Sequence, residues 1–106
     1  MNANLIYANE LLDCYEELFN KNQKGILNDY FRNDYSMQEI AENHNISKQA
    51  VSIQINRCLK QLEKYEDIFK IVQKDKEIDT LIDEMLKSNN ENIIAYASKL
   101  KLIKEK

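Results

Sequence analysis

The stretch from Ser36 to Leu62 constrains the fold most, because its sequence indicates a helix, a tight turn and a second helix. Ser36 and Glu39 have the S-x-x-E spacing of a capping box, in which each side chain accepts a hydrogen bond from a backbone N–H of the first helical turn. His44 and Asn45 interrupt this helix, and asparagine tolerates the left-handed conformation that a sharp turn needs.

The spacing of four residues in this stretch is that of a DNA-binding helix-turn-helix. Ala41 is the small residue of the first helix, Asn45 is the turn residue, Ile46 is an apolar plug, and Val51 is a core residue of the recognition helix. Ser47 is a suitable cap for that second helix. The sequence therefore predicts a helix-turn-helix over residues 36–62.

The composition predicts an all-α fold. The 106 residues include one Gly and no Pro, whereas a sheet protein needs many turns that use those residues. The length fits a single helical domain over residues 1–106. No apolar run approaches the roughly 18 residues of a membrane span. The N-terminus has no basic region followed by an apolar one, so we expect no secretory signal and a cytoplasmic protein.

Residue types that carry catalysis or bind metal are scarce. His44 is the only histidine, and Cys14 and Cys58 are far apart in sequence and are expected to be buried thiols. One Gly cannot form a glycine-rich phosphate loop, and no paired carboxylates are recognisable from spacing. We therefore expect no enzyme activity, no cofactor and no metal.

Apolar periodicity places further helices on both sides of the helix-turn-helix. We predict a first helix over Asn4–Phe19 whose apolar face includes Leu18, and a second after a cap at Asn20. A connector at Arg32–Tyr35 follows. After the helix-turn-helix we predict a hinge at Gln73–Asp75 and a C-terminal extension over 74–106, with helices at Lys76–Lys87 and Glu91–Ile103.

The predicted recognition helix is longer than contact with a DNA groove requires. Its apolar residues follow steps of four and three for three heptads, which is typical of a helix that packs along its length on another: Val51, Ile55, Cys58, Leu62, Tyr65, Phe69 and Val72. A helix from Ser47 to Val72 is too long for the short helices of the first half to cover alone. The stripe at Tyr65, Phe69 and Val72 is covered either by the C-terminal helices of the same chain or by a second copy in a homodimer.

The outward face of the recognition helix is the candidate site. Ser47 and Lys48 lie at the N-terminal tip, where free N–H groups favour a phosphate. The other candidates form two groups: the short polar side chains suited to base edges are Gln49, Ser52 and Asn56, and the cations suited to phosphates are Arg57 and Lys60. The chain has a net charge of −3, but residues 47–62 contain three bases and no acid.

Two features complicate a reading of this face as a DNA reader. Ile53 lies near its centre, where an isoleucine suits a thymine methyl or a protein-binding patch equally. Residues 1–20 contain four acids and no base, and these would repel a duplex if they lay on the same side.

The segment Leu11–Leu86 resembles the YlxM family of small bacterial helix-turn-helix proteins. The helix-turn-helix is also similar, more distantly, to region 4 of sigma factors, which reads promoters. The chain departs from the family at Ser52–Gln54, where a more polar run is usual. The most specific matches are Asp34–Ser36, Glu39–Glu42, Ser47–Val51 and Leu62–Glu66.

The resemblance implies an all-helical cytoplasmic protein that regulates the signal recognition particle pathway. Its implied partner is the particle's GTPase or the particle's RNA. The alternative, based on the helix-turn-helix itself, is a sequence-specific transcriptional regulator that binds duplex DNA. Neither reading implies a membrane partner.

Overall fold

The structure, a computed structural model, describes residues 3–105 and confirms the all-α prediction, since this range contains helices and no strand. None of the helices in this range has the length and apolarity that crossing a membrane requires. The chain divides into two compact units, one ending at Lys70 and the other beginning at Ile71. The elements are α1 (Ala3–Tyr15), a 3₁₀ turn (Glu16–Leu18), α2 (Lys21–Phe31), α3 (Met37–His44), α4 (Lys48–Phe69), α5 (Ile71–Leu86) and α6 (Glu91–Lys104).

The core of the first unit surrounds α4. The four predicted residues Val51, Ile55, Cys58 and Leu62 are buried along one side of this helix. Burying each large side chain contributes about 1.5–3 kcal/mol, so this stripe holds α4 against the three shorter helices. The buried residues that those helices supply are Ala8, Leu11, Leu12 and Tyr15 from α1, Ile26, Leu27 and Phe31 from α2, and Ile40 and Ala41 from α3.

Side-chain caps fix where the helices begin. The predicted capping box is present: Glu39 N–H donates to Ser36 Oγ at 3.1 Å, and Ser36 N–H donates to Glu39 Oε1 at 3.1 Å. Asn20 and Gln23 form a second capping box at the start of α2. Ser47 caps α4 by accepting a hydrogen bond from the Ala50 N–H at 3.0 Å.

The turn between α3 and α4 has the predicted left-handed residue. Asn45 has a φ of 55°, and its N–H donates to Glu42 O at 3.3 Å. The Ile46 N–H donates to Ala41 O at 3.0 Å, which completes a Schellman motif. Ile46 is nevertheless 36% exposed, so its prediction as an apolar plug is wrong. Its backbone closes the turn, and this leaves its side chain at the outer edge.

The first helix ends four residues earlier than predicted. α1 stops at Tyr15, and the 3₁₀ turn that follows changes the direction in which successive side chains point. Phe19 is therefore buried, whereas Leu18 is 54% exposed and does not belong to the predicted apolar face.

The predicted hinge at Gln73–Asp75 is also wrong. α4 ends at Phe69, Lys70 adopts the left-handed conformation with a φ of 55°, and α5 begins at Ile71 rather than at Lys76. This conformation costs about 1–2 kcal/mol for a residue with a Cβ, so a lysine gives no compositional signal of a break.

Aromatic residues of α1 and of the segment after it pack against the end of α4. The ring centroids of Tyr15 and Tyr65 are 5.9 Å apart, those of Tyr15 and Phe69 are 6.3 Å apart, and those of Phe19 and Tyr65 are 5.9 Å apart. The short helices of the first half thus reach this end of α4 without covering it, since Phe69 is 47% exposed. Val72 lies on α5 and does not continue the stripe.

The second unit is an antiparallel hairpin of α5 and α6. Asn90 caps α6 by accepting hydrogen bonds from the N–H groups of Asn92 and Ile93 at 2.9 and 3.4 Å. Ile82 of α5 and Ala97 of α6 are buried. α6 ends within one residue of its predicted limit, and the predicted break at 88–90 is present.

Candidate functional site

The eight predicted site residues lie together on one side of α4. Seven of them are exposed, and Ser52 is half-buried. They share this side because the opposite side of the helix carries the buried stripe. The eight residues are hereafter called the α4 face: Ser47, Lys48, Gln49, Ser52, Ile53, Asn56, Arg57 and Lys60.

The N-terminal tip of the α4 face is built as the sequence predicts. Ser47 Oγ already accepts the Ala50 N–H, so this side chain first serves to cap the helix. Lys48 and Gln49 form the first helical turn, where backbone N–H groups have no acceptor within the helix. An anion at this tip would meet these N–H groups, the positive end of the helix dipole and the Lys48 ammonium.

The cations of the α4 face have no acidic partner among the described residues. Over residues 3–105, no ion pair involves Lys48, Arg57 or Lys60. Arg57 and Lys60 line a shallow surface depression together with Ile53 and Asn56. The depression therefore offers two charges that phosphates would neutralise, next to one apolar side chain.

Ile53 is the most conspicuous apolar group of the α4 face. It is 55% exposed in the middle of the polar and basic residues. A large aliphatic side chain in this position gains free energy from any partner that covers it. The face is thus suited to a partner that combines anionic groups with an apolar surface.

Three of the four acids at the start of the chain form ion pairs with a base of α2 or of the connector that follows it. Arg32 contacts Asp13 at 2.6 Å and Glu16 at 2.9 Å, and Lys24 contacts Glu17 at 2.9 Å. Sequence analysis assigned Arg32 to a connector and missed this bridging role. Because these pairs neutralise charge locally, the four acids repel a polyanion less than their number suggests.

Glu16 accepts hydrogen bonds from two side chains. A hydrogen bond from the Asn28 amide, at 3.1 Å, and one from the Arg32 guanidinium lower the pKa of Glu16 below its ordinary value. The contact between the 3₁₀ turn and α2 therefore depends on an ionised carboxylate.

His44 belongs to the scaffold of the turn. Its Nε2 lies 2.9 Å from Asp29 Oδ2 on α2. Its ring also covers Gly25, where an added Cβ would lie 3.1 Å from His44 Cε1. Gly25 thus allows the close approach that sets the end of α3 against α2, and with it the direction in which α4 starts.

A buried polar pair at the other end of α4 escaped sequence analysis. The Tyr15 hydroxyl donates to Glu66 Oε1 at 2.6 Å, and Glu66 is only 7% exposed. The signal was present, because Glu66 follows the buried Leu62 by four residues and so lies on the core side of α4. An acid at a core position indicates a buried partner, and here that partner is a tyrosine.

Comparison with known proteins adds a family and several relatives. The sequence model of the UPF0122 family, described as a helix-turn-helix protein that is YlxM / p13 like, matches residues 2–103. A UPF0122 protein of Fusobacterium nucleatum is 41% identical over 88 residues, which is 79% of this chain and 85% of the relative. A UPF0122 protein of Listeria innocua is 38% identical over 77 residues, or 73% of this chain and 70% of the relative. One of Bacillus velezensis is 39% identical over 80 residues, or 73% of each chain.

Proposed function

We propose a function for a chain that belongs to the UPF0122 family of YlxM/p13-like helix-turn-helix proteins. It is a cytoplasmic regulatory accessory of the signal recognition particle pathway, and it acts by binding rather than by catalysis. The α4 face contacts the RNA of the particle. The link to this pathway rests on the family resemblance, and the choice of ligand rests on the charges of the face.

The observation that supports RNA as the ligand is a set of cations that form no ion pair within residues 3–105. Lys48, Arg57 and Lys60 lie on one exposed helix side with three short polar groups between them. Binding of a polyanion to such a face releases counterions, and this favours binding at low salt. Ile53 adds an apolar surface for a stacked base or a methyl-rich edge.

The test is direct binding of the purified chain to the particle's RNA, measured by fluorescence anisotropy over a salt series. Arg57→Ala should weaken binding to every RNA tested and reduce the slope of log K against log salt by about one charge. Lys87→Ala is the matched control, because Lys87 is an exposed cation in the turn between α5 and α6. An equal effect of both variants would refute the α4 face as the binding surface.

The same experiment separates RNA from the particle's GTPase as partner. The face would be assigned to a protein partner if the chain bound the GTPase alone, and if Ile53→Asp lost most of this binding while Arg57→Ala lost little of it. Absence of binding to both at micromolar concentration and moderate salt would reject the role in this pathway.

A second candidate function is sequence-specific reading of duplex DNA. The observation that favours it is the outward placement of Gln49, Ser52 and Asn56 on the second helix of a helix-turn-helix. Affinity selection from random duplexes discriminates between the two functions. Failure to enrich any sequence would exclude a sequence-specific reader.

A further inference from the structure

The hairpin of α5 and α6 carries a second exposed surface, unrelated to the α4 face. Five large apolar side chains on it are 43–65% exposed, and Met85 beside them is half-buried. These six residues are called the hairpin face: Ile78, Leu81 and Met85 of α5, and Tyr96, Leu100 and Ile103 of α6.

The hairpin face lies on one side of the pair of helices. On both helices its residues are offset in the same rotational sense from the buried residue between the helices, Ile82 on α5 and Ala97 on α6. In an antiparallel pair, the same offset brings both sets to the same side. The steps of three and four residues within each set are those of a helix seam that packs on further helices.

The six residues form three rungs across the hairpin. Lys104 fixes the register, since its Nζ donates to Asp75 O at 3.1 Å and pairs with the Asp79 carboxylate. This register sets Ile103 level with Ile78. Three residues closer to the turn on each helix, Leu100 lies level with Leu81, and four residues further, Tyr96 lies level with Met85.

The edges of the hairpin face carry opposite charges. Glu77 and Glu84 follow the outer edge of α5, and Lys99 lies on the outer edge of α6, with its Nζ 5.6 Å from the Tyr96 ring centroid. By helix, α5 contains five acids and two bases, whereas α6 contains one acid and three bases. A partner that fits this surface needs three apolar rungs with a basic edge against α5 and an acidic edge against α6.

A second copy of this chain has that pattern. A two-fold axis parallel to the helices places α5 of one copy on α6 of the other and keeps each rung at its own level. Leu81 then meets the partner copy's Leu100, and Glu84 lies beside the partner copy's Lys99. The other face-to-face arrangement, α5 on α5, sets acids against acids and is disfavoured by like-charge repulsion. We propose that two copies of the chain associate through their hairpin faces to form an antiparallel four-helix bundle.

The test is sedimentation equilibrium of the full chain from about 1 to 200 μM, the range in which a small interface dissociates. The wild-type mass should rise towards twice the chain mass of 12.6 kDa. Leu81→Glu, which places two carboxylates in the middle of the bundle, should weaken the dimer by at least about tenfold.

Leu102→Glu is the matched control. Leu102 is 63% exposed and lies on the same hairpin, but away from the hairpin face, so this variant should dimerise like the wild type. Far-UV circular dichroism establishes that both variants remain helical. A wild-type chain that stays monomeric at about 200 μM would overturn the proposal, and so would equal weakening by the two variants.

Charge reversal tests the arrangement of the two copies. Glu84→Lys and Lys99→Glu should each weaken self-association, and an equimolar mixture of the two variants should recover it by forming a heterodimer. If the mixture associates no more strongly than the separate variants, the pairing of α5 with α6 is overturned.

Discussion

Tyr15→Phe removes one hydroxyl from the core and leaves the aromatic ring in place. The ring packs on Tyr65 and Phe69, and the hydroxyl donates to Glu66 Oε1 at 2.6 Å. The substitution therefore isolates the hydrogen bond from the packing. Tyr15 and Glu66 are both buried, so water does not readily replace the lost donor.

The expected cost is about 1 kcal/mol, the typical net contribution of one intramolecular hydrogen bond. For a unit of this size the loss corresponds to about 4–8 °C in melting temperature per kcal/mol.

Urea denaturation of the full chain, followed by tyrosine fluorescence and far-UV circular dichroism, measures this change. Tyr65→Phe is the matched control in the same aromatic cluster. The Tyr65 hydroxyl accepts a hydrogen bond from Gln61 at 3.0 Å in an exposed setting, so its loss should cost about 0.5 kcal/mol or less. Equal losses in the two variants would refute the argument that the buried carboxylate needs this donor.

Two other substitutions probe the contacts that position α3 and α1 on α2. Gly25→Ala should forfeit the gain of about 1 kcal/mol that alanine normally brings to a helix, because the new Cβ meets the His44 ring at 3.1 Å. In a His44→Ala background the full gain should appear, and thermal melts of the four chains measure the difference. Arg32→Ala should cost about 1 kcal/mol at neutral pH. Because the pKa of Glu16 is lowered, its ion pair contributes fully to the free energy of unfolding above pH 4.5, the ordinary pKa. This contribution is lost as the pH falls through the lowered pKa. Urea titrations should therefore show that the difference in unfolding free energy between Arg32→Ala and wild type becomes smaller in acid.

The parts of the fold that sequence predicts well are governed by neighbours along the chain. Ser36 and Glu39 form their capping box within one helical turn. Asn45 adopts the left-handed conformation of the turn, which asparagine tolerates. The buried stripe from Val51 to Leu62 follows from helical periodicity alone. These features need no knowledge of what lies opposite.

The failures concern contacts between residues that are distant in sequence. The end of α4 at Lys70 has no capping residue that announces it, and Leu18 loses its place because a 3₁₀ turn replaces the last turn of α1. Arg32 lies in the predicted connector after α2, but its ion pairs were not predicted, because Asp13 and Glu16 lie more than a dozen residues away in sequence. Periodicity gives the face of a helix but not the element that covers it.

The candidate site shows the same limit. Its eight residues were predicted from the side of α4 that they occupy, and the structure gathers them there. The identity of the ligand does not follow from that placement, because Arg57 and Lys60 suit any phosphate backbone and Ile53 suits either a base or a protein.

Local charge, and not the net charge of −3, decides whether the α4 face attracts a polyanion. At physiological salt, charges separated by more than about 8 Å are largely screened from one another. Lys48, Arg57 and Lys60 have no ion-pair partner in the part of the chain that the structure describes, whereas Asp13 and Glu16 pair with Arg32 and Glu17 pairs with Lys24. A phosphate at the α4 face therefore meets uncompensated cations first. If the α4 face binds RNA, the salt slope should report these few contacts, and neutralising the paired acids should alter it less than removing a single cation from α4.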